Sequence, residues 1–246
     1  FKPDKAVTRA EFATMINKAL GNSGTASISF KDVSSRDWYY NDISKALAAS
    51  YAAGYSDGTF KPNSPITRQE AAVMLSRIVT AGRSGNLKSY ADSASIGSWA
   101  YDAMEKVNGK GYIGAYNDGK LHPLDQLTRA QTAKIICEIL DEESIVTGNT
   151  TVKDDGAKLS GKIYTNNVLI HKDLKEGSAT IENSMILGSL YVYGGGTDTV
   201  TVSNSRISSC IVDKGTDPVR LLAKGETSIS ELTAPSASVL QPSSLT

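Results

Sequence analysis

The feature that most constrains this chain is a block of sequence that occurs three times. "FKPDKAVTRAEF" at 1–12 returns as "FKPNSPITRQEA" at 60–71 and as "LHPLDQLTRAQT" at 121–132. Each block leads into apolar residues at helical spacing. These are Phe12, Met15, Ile16 and Ala19, then Ala71, Met74, Leu75 and Ile78, then Thr132, Ile135, Ile136 and Ile139. Positions i, i+3, i+4 and i+7 form one apolar stripe on a helix. A single short helix has nothing to bury such a stripe against. Three equivalent helices bury theirs against each other, which predicts a pseudo-threefold helical bundle.

Two further segments repeat between these blocks. "FKDVSSRDWYYNDISKAL" (30–47) is matched by "YADSASIGSWAYDAMEKV" (90–107), with Asp32 on Asp92 and Trp38 on Trp99. "GYSDGTF" (54–60) is matched by "AYNDGKL" (115–121), keeping an Asp-Gly pair that reads as a tight turn. Residues 1–141 therefore divide into a half repeat (1–29) and two full repeats (30–80 and 81–141). The sequence opens at Phe1 inside the pattern, which reads as a fragment or a processed product.

The character changes after Leu140. Short alternating runs such as "KIYTNNVLIH", "ATIENSMIL" and "TVTVSNSRISSCIVD" replace the helix pattern. Ile181, Asn183, Ile186 and Leu190 match Val202, Asn204, Ile207 and Ile211 at one fixed offset. Strand-type alternation with a repeat near ~20 residues suggests stacked β-coils. The expectation is a small right-handed β-solenoid over 151–233, with a β-sandwich as the alternative. Asn183 over Asn204 would form an internal amide ladder. Residues 140–150 read as a linker and 234–246 as a loosely ordered tail rich in Ser and Pro.

Composition removes several function classes. Lys plus Arg and Asp plus Glu both number 26, so the basic excess of a nucleic-acid binder is missing. No run approaches the length of a membrane-spanning helix. Cys137 and Cys210 are too few and too far apart for a disulfide framework or a zinc site, and read as small buried hydrophobes. No cofactor or metal is expected.

The helix starts carry a puzzle. Thr67 with Glu70 and Thr8 with Glu11 form capping boxes, and Thr128 with Gln131 gives a neutral version. Val7 and Phe12 fit a hydrophobic staple across the first of them. Capping does not explain Arg9, Arg68 and Arg129, which stand at first helical positions, against the positive end of the helix dipole. Two readings stay open. Each arginine ties loops together by a salt bridge to Asp32, Asp57, Asp92 or Asp118, or guanidinium, dipole and backbone N–H groups converge on an anion. Trp38 and Trp99 are likewise either packed between helices or exposed as faces for a sugar ring. A sugar bearing a carboxylate would use both the cations and the indoles.

Residues 30–78 resemble a complete S-layer homology motif, 90–140 a second, and 1–20 the back half of another. The likeness rests on the F-x-D start, the Trp, the G-Y-x-D-G-x-F-x-P block and the T-R-A-E signature, in that order. It implies a three-pronged pseudo-trimeric helical domain that anchors exported proteins of mostly Gram-positive bacteria to the secondary cell wall polysaccharide. The expected epitope is a pyruvylated N-acetylmannosamine. By this resemblance Arg9, Arg68 and Arg129 hold the pyruvyl carboxylate. Asp32 and Asp92 bond sugar hydroxyls or order the groove, and Gly58 and Gly119 let backbone approach the ligand. One groove would pair Arg9 with the Asp32–Trp38 segment and another Arg68 with Asp92–Trp99. The third repeat departs from the pattern at Ala115, Leu121 and Gln131. The β-rich half is similar to modules that follow such motifs in large exported proteins.

Two rivals remain. Polysaccharide-degrading enzymes use β-solenoids, but they need paired carboxylates or a metal-assisted base, and neither constellation is evident here. A surface-layer assembly unit, with the β-half making lattice contacts, is compatible with an anchoring role and implies self-association or other surface-layer proteins as partners.

Overall fold

A computed structural model describes residues 2–80, 84–196, 199–215, 218–235 and 238–242. The chain divides into two compact units, one helical and one built of strands.

The helical unit contains α1 (Arg9–Leu20), α2 (Tyr40–Ala48), α3 (Arg68–Ser76), α4 (Tyr101–Gly109) and α5 (Arg129–Glu142). The capping boxes form at α3 and α5, where Thr67 and Thr128 accept the N–H groups of Glu70 and Gln131. Thr8 and Glu11 make the same reciprocal bonds at α1, at 2.9 and 3.2 Å. Val7 and Phe12, the staple pair, are both fully buried. The expected stripes face the core most completely at α3, through Ala71, Met74 and Leu75, with Ile78 just beyond the helix end also buried. In α1, Phe12 and Ile16 are buried while Met15 and Ala19 are half-buried. In α5, Thr132, Ile135 and Ile139 are buried, while Cys137 falls off the stripe and is exposed rather than packed as a hydrophobe.

The segments leading into α1, α3 and α5 close a ring of hydrogen bonds. Val7 N–H donates to the Leu127 carbonyl at 2.9 Å, Leu127 N–H to Ile66 at 3.0 Å, and Ile66 N–H to Val7 at 2.9 Å. The helix starts bond round the same three repeats in the opposite sense. Arg9 N–H donates to Ser64, Arg68 N–H to Asp125 and Arg129 N–H to Lys5, at 2.9–3.0 Å. Ala10, Gln69 and Ala130 then donate to Pro62, Pro123 and Pro3, each at 3.0 Å. The loop ahead of each helix thus satisfies orphan donors of the helix one repeat earlier, cyclically.

The second unit is a parallel β-solenoid of about four turns. Its strands are β1 (Ile145–Val146), β2 (Thr150–Val152), β3 (Ala157–Ser160), β4 (Ile163–Tyr164), β5 (Val168–Ile170), β6 (Ala179–Glu182), β7 (Met185–Val192), β8 (Val200–Ser203), β9 (Arg206–Val212), β10 (Val219–Lys224), β11 (Ser228–Ile229), β12 (Leu232–Thr233) and β13 (Ser238–Pro242). All of their pairings are parallel, which excludes the antiparallel sandwich. Three columns run through the stack, and Val168, Ile170, Ile181, Ile186, Leu190 and Val202 fill its interior.

Three details differ from the sequence expectation. Ile181 stacks on Val202 and Ile186 on Ile207 as expected, but Leu190 stacks on Cys210 rather than Ile211. A register shift between Ile186 and Ser189 absorbs the extra residue of β7 and turns Cys210 into the core. Asn183 and Asn204 form no internal ladder. They are exposed corner residues with φ of 47° and 46°, in the column of Gly161 and Gly225 at 64° and 58°. Asn tolerates this left-handed conformation better than most side chains. Directly inside them, Ser184 and Ser205 stack, the Ser205 hydroxyl accepting Ser184 N–H at 3.1 Å. Finally, the segment 140–150 is structured, since α5 continues to Glu142 and β1 pairs with β4. β13 pairs with β10 inside the stretch read as a loose tail, whose residues 236–237 and 243–246 lie outside the described ones.

Candidate functional site

The three arginines are placed by the cyclic loop arrangement. Arg9 is buried against the 53–60 loop of the following repeat. Its Nε donates to the Phe60 carbonyl at 2.9 Å and Nη2 to Ala53 at 3.2 Å, while Nη1 lies 3.9 Å from Glu70 Oε1. Its guanidinium carbon is 4.7 Å from the Tyr55 ring centre and 4.9 Å from that of Phe60. Arg68 repeats the geometry on the 114–121 loop, donating to Leu121 at 2.8 Å and Gly114 at 2.5 Å. Its Nη1 donates to the Tyr116 hydroxyl at 3.2 Å, which also accepts from Gln131 at 2.7 Å. Arg129 is half-buried and contributes to holding the Glu11 carboxyl below its ordinary range. Burial pushes that carboxyl the other way, but Thr8 N–H and Lys5 outweigh it.

Two expectations about these starts are answered. The guanidinium groups of Arg9 and Arg68 bond loop carbonyls, not the four aspartates of the Asp-Gly and F-x-D segments. The backbone N–H groups at the first two helical positions already bond neighbouring carbonyls, so they do not converge on a ligand.

Asp32 and Asp92 are close structural counterparts. Asp32 accepts the N–H groups of Phe60 and Lys61, each at 2.8 Å, and Asp92 those of Leu121 and His122 at 2.9 and 2.7 Å. Burial raises the Asp92 pKa, but the two N–H bonds prevail and hold it below the usual carboxylate range. Arg9 and Asp32 therefore grip opposite ends of Phe60, and Arg68 and Asp92 do the same at Leu121. Gly58 and Gly119 take φ of 80° and 73° in the Asp-Gly turns, which accounts for glycine there.

Both tryptophans are exposed, Trp38 at 63% and Trp99 at 60%, so neither is packed between helices. Trp99 walls a cleft of about 570 Å³ whose other lining residues include Arg9, Gly54, Tyr55, Glu70 and Arg77. The indole beside Arg9 is thus that of Trp99, one repeat further along than the Asp32–Trp38 pairing. Its base is fixed by Gly97, whose N–H donates to the buried Gln69 side chain at 2.9 Å. A Cβ on Gly97 would lie 2.5 Å from the indole nitrogen, so glycine lets the ring fold back.

Sequence reasoning missed Gly54, Tyr55 and Arg77. The recurring Gly/Ala-Tyr pair ahead of each Asp-Gly turn was the available signal for the first two. Gly54 has no room for a side chain, since a Cβ would sit 2.2 Å from the Phe30 ring. The Tyr55 hydroxyl donates to Glu70; burial first, then this bond, pushes its pKa up to about 12. Burial pushes the Glu70 carboxyl up, but Tyr55, Thr67 and Arg9 together hold it below its ordinary value and ionised. The cleft combines an indole wall, a phenol and a cationic floor, which suits a polar ring with one anionic substituent. Among the described residues, no group of three or more His, Cys, Asp or Glu could hold a metal ion, and no helix is long and apolar enough to cross a membrane.

The S-layer homology domain profile matches residues 29–72 and 89–133, the two segments that supply the loops, the tryptophans and the capped helices. These are S-layer homology repeats. Among similar proteins, a "Surface-layer 125 kDa protein" of Lysinibacillus sphaericus is 32% identical over 57% of this chain and 12% of its own length. A "Cellulosome-anchoring protein" of Acetivibrio thermocellus is 31% identical over 72% of this chain and 39% of its own. An "Endoglucanase" of Bacillus sp. (strain KSM-635) is 33% identical over 57% of this chain and 15% of its own. The enzymes among these relatives align only with the S-layer homology part. The chain spans well under half the length of each of these three.

Proposed function

We propose that the chain is a non-catalytic anchor that holds its parent protein to the cell wall of a Gram-positive-type bacterium. The S-layer homology repeats and the relatives named for surface-layer and anchoring roles support the anchoring class. The ligand in this reading is a pyruvylated secondary cell wall polysaccharide. The observation that carries it is the convergence of exposed Trp99, Tyr55 and the guanidinium groups of Arg9 and Arg77 on one cleft.

The sugar's apolar face stacks on the Trp99 indole and its hydroxyls meet the polar edges of the 53–56 loop. Arg9 supports the floor, and Asp32 and Gly58 hold the loop that the floor carries. Arg68, Asp92, Gly119 and Tyr116 offer a second, related site, and Arg129 with Trp38 a third. The cyclic bonding of the helix starts supports a trident arrangement of these sites, and the solenoid, read as right-handed, serves as the spacer toward the rest of the parent protein.

Calorimetric titration with a pyruvylated N-acetylmannosamine glycoside tests the reading, with the unpyruvylated sugar as control. Trp99→Ala should weaken binding by about 2 kcal/mol, roughly thirtyfold, through loss of a buried aromatic contact. Trp38→Ala, outside the Arg9 cleft, should change it little. Absence of binding to either sugar would remove the glycan reading.

A further inference from the structure

We propose that the Tyr116 hydroxyl is a ligand-contacting donor at the Arg68 site, and that Gln131, standing where the Arg9 cleft has Glu70, makes it one. The exchange gives the Arg68 site a stronger preference for acidic over neutral sugars than the Arg9 cleft has. This inference rests on the glycan-binding reading above.

The two sites are built alike around their arginines. Nε and Nη2 of Arg9 bond the Phe60 and Ala53 carbonyls, and those of Arg68 bond Leu121 and Gly114. Each guanidinium carbon lies over a tyrosine ring, 4.7 Å from the centre of Tyr55 and 4.5 Å from that of Tyr116. The sites part at the third residue of the adjoining capped helix, Glu70 in α3 and Gln131 in α5.

That exchange reverses the role of the phenol. The Tyr55 hydroxyl donates to Glu70, so its single proton is committed within the protein. At the Arg68 site the Gln131 side-chain carbonyl accepts Thr128 N–H at 3.0 Å. This fixes the orientation of the amide, and its Nε2 donates to the Tyr116 oxygen at 2.7 Å. Arg68 Nη1 donates to the same oxygen at 3.2 Å. Neither nitrogen can accept, so the Tyr116 proton points away from both. Among the described residues it meets no acceptor, and Tyr116 is 37% exposed.

Two donors on one oxygen polarise its O–H bond, which favours a charged acceptor such as a carboxylate over a neutral one. Electrostatics point the same way. Glu70 lies 3.9 Å from Arg9, whereas Arg68 forms no salt bridge among the described residues. Burial disfavours the Arg68 charge, and Tyr116, Asp125 and Asp92 offset that only in part.

The repeats supply an independent argument. Glu11, Glu70 and Gln131 occupy one position, and carboxylate and amide alike complete the capping box. The cap therefore does not require glutamine at 131, whereas the reversal of the phenol does. Gln131 is thus a positioning residue that acts through Tyr116.

The test uses the Trp99→Ala chain, which lacks the indole wall of the Arg9 cleft, so that remaining binding reports the Arg68 site. Calorimetry gives the ratio of affinities for the pyruvylated and unpyruvylated N-acetylmannosamine glycosides. Gln131→Glu, which keeps the cap, should lower this ratio about tenfold, and Tyr116→Phe about fivefold, with unchanged cooperativity of thermal unfolding. With Trp99 restored and Gln131→Glu retained, Glu70→Gln should raise the ratio again, because it releases the Tyr55 proton. A ratio that survives Gln131→Glu or Tyr116→Phe, or fails to rise in Glu70→Gln, would overturn the assignment and leave the glycan reading standing. So would a Trp99→Ala chain that binds neither sugar while the wild type binds. A wild-type chain that binds neither sugar would remove both.

Discussion

The carboxylate of Glu143 lies 2.7 Å from the Lys110 ammonium, and its side chain is only 2% exposed. Thr80 donates to the same carboxylate at 2.6 Å and Tyr112 at 3.2 Å. Burial would raise the Glu143 pKa, but the Lys110 and Thr80 bonds prevail and lower it. A carboxyl whose folded pKa is depressed stabilises the fold fully above its unfolded value, 4.5, and loses that contribution as pH falls through the lower folded value. Glu70 and Asp92 act in the same direction. The helical unit should therefore lose stability progressively below about pH 4.5. Glu143→Gln should cost about 3 kcal/mol at neutral pH, because Lys110 is left without its charge partner. It should also flatten the acid limb of a plot of unfolding free energy against pH.

Asp32 makes a second stability prediction. Its carboxylate holds two backbone N–H groups, one of them on the fully buried Phe60. Asp32→Ala should cost about 1–3 kcal/mol, the penalty for an unsatisfied buried donor. Denaturant unfolding measures this, and Asp92→Ala should give a comparable loss from the other full repeat.

Gly54 tests how tightly the cleft loop is built. Its missing side chain leaves space for Phe30, whose ring lies 5.4 Å from that of Phe60. Gly54→Ala should destabilise by about 1–3 kcal/mol through overpacking. The third repeat carries Ala115 with Leu121 in place of Phe60. Gly54→Ala combined with Phe60→Leu should therefore recover part of the loss, as a double-mutant cycle would reveal.

At the solenoid corner, Asn204 holds φ of 46° and accepts the Glu226 N–H at 3.1 Å. Asn204→Ala should cost about 1–2 kcal/mol for a side chain forced into the left-handed region. Asn204→Gly should cost less, and hydrogen exchange of the β8 and β10 amides separates the two.

The cysteines should behave differently. Cys137 is exposed, whereas Cys210 is buried and burial pushes its thiol up to about 12. A chromogenic disulfide reagent at neutral pH should titrate one thiol in the native protein and two in denaturant.

Much of this architecture was legible because it follows local rules repeated in the sequence. Thr67 and Glu70, or Thr128 and Gln131, lie within one helical turn of each other, so their caps can be read directly. Strand stacking was legible at Ile181 and Val202 for the same reason. It failed at Leu190, where one extra residue in β7 shifts the register without leaving a compositional mark. The asparagines were misread because a residue that tolerates a corner also suits an interior ladder, and only the backbone angle separates the two. At the site, the arginines stood out by position, but their partners did not. Arg9 meets carbonyls of Ala53 and Phe60, and carbonyls have no sequence signature. Trp99 enters the cleft from a further repeat, a neighbourhood set by the order in which three loops close.

That closure has a kinetic meaning. Val7 bonds Leu127, and Leu127 bonds Ile66, so the ring is complete only once residues far apart in the chain have met. Long-range closure of this kind carries a large entropic barrier and slows folding relative to a simple helical hairpin. The Arg9 cleft takes its walls from all three repeats. A chain interrupted before the third repeat would lack the Trp99 wall of the cleft and the Leu127 link of the ring. In the proposed glycan reading, the Trp99 stacking face meets Arg9 and Tyr55 only in the closed ring, so ligand affinity would report on ring closure.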